Sequence, residues 1–171
     1  MIWVGRAAYF AIFLALAGLL YWSTPSHDVV RILETEIIRE DFETTGSDGD
    51  EVTRTRDVRM INAVTPSGEP SVYRNVDTGW GWPPYFKFDS ANLAAAASDL
   101  SSSEDNPRWV VLTHYGIRLT FFSIFPNTLS VERAEGPDQV VIPWTKIVSI
   151  VALAVLMITL RRYALTRFGA D

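Results

Sequence analysis

Two long apolar runs frame this chain, and nothing else in it restricts the possible folds as strongly. Residues 7–20 read AAYFAIFLALAGLL without a charge, and residues 140–160 read VVIPWTKIVSIVALAVLMITL. A helix needs about 20 predominantly apolar residues to cross a bilayer core. Counted as residues 2–22 and 140–160, each run reaches about 31 Å at a rise of about 1.5 Å per residue. The expected class is mainly β with two transmembrane helices: a transmembrane helix over 2–22, an extracytoplasmic β domain over 24–139, a second transmembrane helix over 140–160, and a short basic cytoplasmic tail over 161–171. The 48% apolar content is therefore uneven, concentrated at the two ends.

The flanks of both runs carry residues suited to a membrane interface. Trp3 and Arg6 stand at one end of the first run, Tyr21 and Trp22 at the other. Trp144 and Lys146 stand near the start of the second, and Arg161 and Arg162 follow its end. Tryptophan and tyrosine favour the headgroup level, and long cationic side chains reach it from inside the bilayer. Lys146 is either a functional intramembrane charge or a cation reaching the interface, and its place near the end of the run favours the second. A cleaved signal peptide rivals the first helix, but residues 20–25, LYWSTP, offer no small-x-small cleavage site, so an uncleaved anchor is expected. A buried helix of a soluble core is the bland alternative.

Arginines after the second run, with Arg6 before the first, place both ends in the cytoplasm and the middle across the membrane, in the periplasm of a bacterial inner membrane. In residues 24–140 there are 10 Lys and Arg against 19 Asp and Glu, a difference of −9. A net charge of −5 and a pI near 5.0 oppose nucleic-acid binding, which shows a basic patch. No cysteine is present, which removes disulfides and thiolate chemistry. The two histidines, His27 and His114, are too far apart in sequence to suggest a metal motif. No cofactor is expected.

The middle reads as short strands. Residues 27–43 are rich in β-branched residues with mixed faces, which suggests a long curved strand with a bulge. Residues 44–51, TTGSDGDE, form a turn; the acids are a conceivable calcium loop but lack EF-hand spacing. Residues 52–64 and 71–76 are strands about a Pro- and Gly-containing turn, with Val58, Met60 and Val64 on one face. Residues 90–100 are an alanine-rich helix capped by Asp89 or Ser90, with Leu93, Ala96, Ala97 and Leu100 on one face. Residues 108–115, 117–125 and 128–133 read as further strand material. Strand, strand, strand, helix, strand, strand is the order of a small OB-like five-stranded β-barrel with one helix.

Between the third strand and the helix lies Trp80-Gly-Trp-Pro-Pro-Tyr-Phe-Lys-Phe-Asp89. Pro83 and Pro84 fix φ and remove donors, and the stretch carries five aromatic residues. Trp80, Trp82, Tyr85 and Phe86 are the candidate partner-binding residues, because such rings dominate interfaces. A lid sealing the barrel core and a contact with lipid headgroups are the competing readings. His114 and Arg118 are the candidate polar site: His114 is a candidate base but has no serine or carboxylate at a motif spacing, and Arg118 is expected to pair with Asp77 or Asp89. Asp77 and Asp89 suit turn and cap roles, and Asn127 a turn.

The segments HDVVRILETEIIR, RDVRMINAV, YRNVDTGWGWPPYFKFDSANL, WVVLTHYG and IFPNTLSVE resemble an uncharacterised family of small alphaproteobacterial inner-membrane proteins, the domain-of-unknown-function family DUF1523. A wider set of small bacterial proteins shares the pattern Lys87-Phe88-Asp89-Ser90, Gly116-Ile-Arg118 and Ser123-Ile-Phe125-Pro126-Asn127. The resemblance implies the topology above and brings no activity or catalytic residues. The expected function is a non-enzymatic accessory or scaffold subunit that docks another membrane protein. The alternatives are a periplasmic module that binds a lipid, glycan or small molecule, and a hydrolase using His114.

Overall fold

The computed structural model of the chain describes residues 2–45 and 51–168, with the side chains of residues 7–41, 53 and 55–166. In chain order the elements are α1 (Ile2–Ser23), β1 (Ser26–Thr45), β2 (Glu51–Val64), β3 (Pro70–Asn75), α2 (Ser90–Asp99), β4 (Trp109–Tyr115), a 3₁₀ turn (Thr120–Phe122), β5 (Asn127–Arg133) and α3 (Trp144–Phe168). They form two compact units. One is Met1–Ser26 with Ile142–Asp171, and the other is His27–Val141.

The sheet unit is built from β-branched runs interrupted by turns. β1 and β2 pair antiparallel from Arg31↔Val64 to Thr45↔Glu51, so both continue as a long ribbon beyond the short β3. The register shifts between Ile32 and Glu34, which leaves Leu33 as the extra residue of a bulge. Ile32 then points into the core while Leu33 faces out. β3 runs antiparallel to β2, and meets β5 in parallel through the pair Arg74↔Asn127. β4 runs antiparallel to β5, with a second shift between Thr113 and His114. The order round the rolled sheet is β1-β2-β3-β5-β4.

Every core strand contributes alternate residues, and α2 closes the core. Val30 and Ile32 of β1, Ile61 and Ala63 of β2, Tyr73 of β3, and Val110 and Leu112 of β4 pack with Ala97 of α2 and with Leu100, its C-cap, with Val131 of β5 against them. The period of two is what a strand with one buried face imposes. On β2, Val58 and Met60 are buried as expected and Val64 is half-buried, but Ile61 and Ala63, of the opposite parity, supply the main core. On α2, Leu93, Ala97 and Leu100 are buried and Ala96 is exposed.

The helical unit packs α1 against α3. Lys146, in the first turn of α3, is buried. Its Nζ bonds the Ser26 hydroxyl and lies 4.1 Å from the centre of the Tyr21 ring. The end of α1 therefore meets the start of α3, as in an antiparallel pair.

The expected fold class needs correction on three points. First, the OB-like five-stranded barrel between two transmembrane helices is replaced by a mixed five-stranded sheet. Its parallel β3/β5 seam is a single residue pair, and its β1/β2 ribbon runs past the core. Second, two transmembrane helices do not stand. Among the described residues one helical segment, Trp144–Thr166, is long and apolar enough to cross a membrane, and the apolar part of α1, Ala7–Ser23, is too short. Third, residues 117–125 are not a strand. They hold the 3₁₀ turn and the isolated bridge Leu119↔Ile124, because Ser123 at φ 52 turns the chain and no neighbouring strand pairs with the run. α3 continues through Arg161 and Arg162, which are good helix formers. The side chains of Trp3 and Arg6, and the centre of the acidic turn at 46–50, lie outside the described residues.

Candidate functional site

The aromatic loop, residues 77–89, leaves β3 and returns to α2. Gly79 takes φ +54, a conformation open to glycine. Its N–H and that of Thr78 both donate to the Lys87 carbonyl, at 3.2 and 3.1 Å. The Lys87 N–H donates back to Thr78 Oγ1 at 3.0 Å. The loop is thus pinched at its neck, and the residues between are displayed.

Three rings gather at the tip. Trp80, 84% exposed, meets Phe86 at 5.3 Å and Phe88 at 5.7 Å between ring centres, both edge to face. That geometry suits the aromatic quadrupole. Trp82 is 62% exposed on the same loop. Phe86 sits at φ +49, a region that a bulky residue enters only when its surroundings hold it there. Tyr85 turns the other way, half-buried, with its ring 5.0 Å from that of Tyr115. Burial, with Tyr115 beside it, pushes the Tyr85 hydroxyl up to about 12. An open cavity of about 460 Å³ lies under the tip, lined by Tyr85, Phe86, Lys87, Phe88, Asp89 and Leu129.

A buried polar network holds the root of this loop. Lys87 is 6% exposed, and its Nζ donates to Asn75 Oδ1 at 2.5 Å and to the Thr128 carbonyl at 2.7 Å. Burial, which disfavours the cation, lowers its pKa to about 8, against the opposing pull of Asp89 and Asp77. Asn75 Nδ2 donates to the Ser90 carbonyl at 2.8 Å. Asp77 accepts from the Ser90 N–H at 2.9 Å and from its hydroxyl at 3.0 Å. The carboxylate that serves the start of α2 is thus Asp77; Asp89 occupies the N-cap position without a side-chain bond. Asn127 brackets Val76, accepting from its N–H at 2.9 Å and donating to its carbonyl at 3.0 Å, and it also donates to the Tyr115 hydroxyl at 3.1 Å.

A second polar group lies where β1 begins. His114 Nε2 stands 3.0 Å from Asp28 Oδ2, in ion-pair range but off the line of a hydrogen bond, and Nδ1 is buried without a partner among the described residues. Tyr73 donates to the same Asp28 oxygen at 2.6 Å, and its ring centre is 5.4 Å from that of His114. Burial alone raises the Asp28 carboxyl. The contacts with His114 and Tyr73 and the charge of His27 outweigh burial and hold it below the usual range. Burial, then the Asp28 charge, drives the Tyr73 hydroxyl well above its ordinary value. Arg118 donates to the Pro70 carbonyl at 2.9 Å and to Ser71 Oγ at 2.8 Å, rather than to Asp77 or Asp89. Ser71 in turn donates to the Tyr73 hydroxyl at 3.2 Å.

The family model described as "Protein of unknown function (DUF1523)" matches residues 1–168. The chain belongs to the DUF1523 family. It is similar to a Haemophilus influenzae protein named "Uncharacterized protein", at 38% identity over 141 residues, or 80% of this chain and 75% of that one. No solved structure matches.

In this DUF1523 chain the structure unites Trp80 and Phe86 and adds Phe88, whose spacing of two from Phe86 was the available signal. Arg118 is bonded through Ser71 and Tyr73 to Asp28, and His114 meets the same Asp28 in an ion-pair contact. Asp28 lies 86 residues from His114 in sequence, so no motif spacing marked it. Tyr21 and Trp144 are exposed, Trp22 is half-buried, and Arg161 and Arg162 are exposed on α3. Among the described residues no group of three or more His, Asp or Glu is placed to hold a metal ion.

Proposed function

We propose that this protein is a membrane-attached, non-enzymatic accessory or scaffold subunit, whose sheet unit docks another membrane protein through Trp80, Trp82, Phe86 and Phe88. The observation that carries this reading is the exposed three-ring cluster on a loop whose root is held by hydrogen bonds of Lys87, Asn75, Asp77 and Asn127 and whose backbone at Phe86 is held in a strained region. Exposed apolar patches of this kind mark interaction sites, and rings held rigid lose little entropy on binding. Tyr85 serves as the anchor of the loop. Attachment is assigned to α3, and Arg161 and Arg162 favour a cytoplasmic C-terminal end for that helix. The sheet unit, which precedes α3, then lies on the periplasmic side of the inner membrane.

The test is purification of the full chain from native membranes in mild detergent, as wild type and as Trp80→Ala/Trp82→Ala and Phe86→Ala/Phe88→Ala variants. A stoichiometric membrane partner that stays with the wild type and leaves both variants, with unchanged circular dichroism, is expected. A partner retained by both variants refutes the site. The cavity of about 460 Å³ supports a second reading, a ligand-binding sensor module. A thermal shift with a lipid or glycan that Leu129→Trp abolishes would favour it over docking.

A further inference from the structure

A second apolar surface stands apart from the aromatic loop. Between β4 and β5, Phe121 is 92% and Phe122 68% exposed, with Ile117, Leu119 and Ile124 exposed beside them. The Phe121 and Phe122 rings meet edge to face at 5.0 Å. The loop has defined local structure. Leu119 and Ile124 bond each other in both directions, at 3.0 and 3.1 Å, the 3₁₀ turn spans the tip, and Gly116 at φ +95 sets the chain's direction out of β4. Arg118 is the one charge in residues 117–125. It is turned back to Pro70 and Ser71, which leaves an uncharged apolar tip.

The root of this loop lies at one particular end of the sheet unit. Arg118 connects through Ser71 and Tyr73 to Asp28, and His114, two residues before Gly116, contacts Asp28 directly. His27 bonds Thr113 at 3.0 Å. His27 is the first residue of the sheet unit and follows directly on Ser26 of the unit that carries α3. The loop therefore emerges from the end of the sheet at which β1 begins.

We infer that residues 117–124 form a lipid-dipping loop, with Phe121 and Phe122 inserted into the interfacial layer of the bilayer that α3 enters. This rests on the reading of α3 as the membrane attachment. An apolar, charge-free tip with two adjacent phenylalanines matches what partitions into that layer. It also answers how a water-facing unit tolerates these side chains, since contiguous exposed patches are seldom left uncovered. The string Arg118–Ser71–Tyr73–Asp28, with His114 against Asp28, fixes the loop to the sheet.

The absence of cysteine makes a direct test possible. The full chain, carrying a single nitroxide at Phe121→Cys or Phe122→Cys, is reconstituted in vesicles of phosphatidylethanolamine and phosphatidylglycerol. Collision with oxygen and with a water-soluble nickel complex is then read. Val155→Cys on α3 and Ser103→Cys in an exposed loop serve as deep and aqueous references. The expected result is loss of nickel access with gain of oxygen access at 121 and 122, to a depth between the two references. Nickel access equal to that at Ser103, with Val155 deep, overturns the loop assignment and leaves the attachment intact. Protection from both reagents overturns it in favour of a protein contact. Nickel access at Val155 overturns the membrane reading and the loop assignment with it.

Discussion

Lys87 gives the sharpest energetic expectation. Its amine is buried among neutral partners, and its folded-state pKa is lowered from 10.5 to about 8. An unfolded chain binds the proton more tightly, so between those two values the unfolded state holds more protons and stability rises with pH. Below pH 8 the buried cation costs about 3 kcal/mol, from about 1.4 kcal/mol per pKa unit. About 2 kcal/mol of that is relieved between pH 8 and pH 10. Replacing Lys87 by Met removes this cost but leaves Asn75 Oδ1 and the Thr128 carbonyl without their donor, a loss of roughly 1.5–3 kcal/mol for each charge-assisted bond. Near pH 7 the variant should therefore lie from zero to about 3 kcal/mol below wild type. The assay is urea unfolding of the full chain in mild detergent, followed by tryptophan emission from pH 7 to 10. Tyr73 and Tyr85, whose hydroxyls are raised above 10 in the fold, lower the stability of both proteins as pH reaches 10, so the Lys87 effect is read as the difference: between pH 8 and 10 wild type should gain about 2 kcal/mol relative to Lys87→Met. The same pH dependence in both proteins would show that the amine is not held as described.

Tyr73→Phe removes one bond to the Asp28 carboxylate and should cost about 1.5–3 kcal/mol in the same assay at neutral pH. Because the Asp28 pKa is lowered from 3.8, its stabilisation is present above that value and is lost as pH falls through the lower folded value, so the variant should also show a shallower acid loss. Ile61→Ala, at a fully buried position, should cost about 2–5 kcal/mol, whereas Leu33→Ala at the exposed bulge should change stability by about 0.5 kcal/mol or less. Equal effects at the two positions would refute the register of β1.

The order of the sheet unit was legible because each strand carries its own turn chemistry and the alanine-rich run at residues 90–100 can be little but a helix. The bulge was legible too, since residues 27–43 keep neither face apolar throughout. What failed depended on partners rather than on pattern. Residues 117–125 have the composition of a strand, but a strand needs a neighbour, and this run folds on itself at Ser123. Residues 2–22 have the length of a membrane helix on paper, but in the described part the apolar stretch is Ala7–Ser23, and it is α3, over Trp144–Thr166, that meets the length. At the site, the ring cluster was visible as an aromatic-rich stretch. Its root was not, because Asn75, Asp77 and Asn127 look like turn residues wherever they fall. The Asp28–His114 pair is brought together by two strands that begin and end far apart in the chain.

A small rolled sheet has one core, and here Tyr73, Ile61, Leu112 and Ala97 already fill it. Neither the Trp80–Phe86–Phe88 cluster nor the Phe121–Phe122 pair joins that cluster, and both stand on loops outside the core. What keeps these loops in place is polar bonding at their roots: Lys87, Asn75, Asp77 and Asn127 for the first, and Arg118, Ser71 and Tyr73 for the second. Order that comes from the root makes the tip replaceable. A change at Trp80 or Phe121 should remove the proposed contact surface and little stability, whereas a change at Asn127 or Arg118 should leave the rings intact but loosen their position. Stability and binding should therefore separate cleanly between root and tip variants, which would not happen if these aromatic residues were a lid on the core.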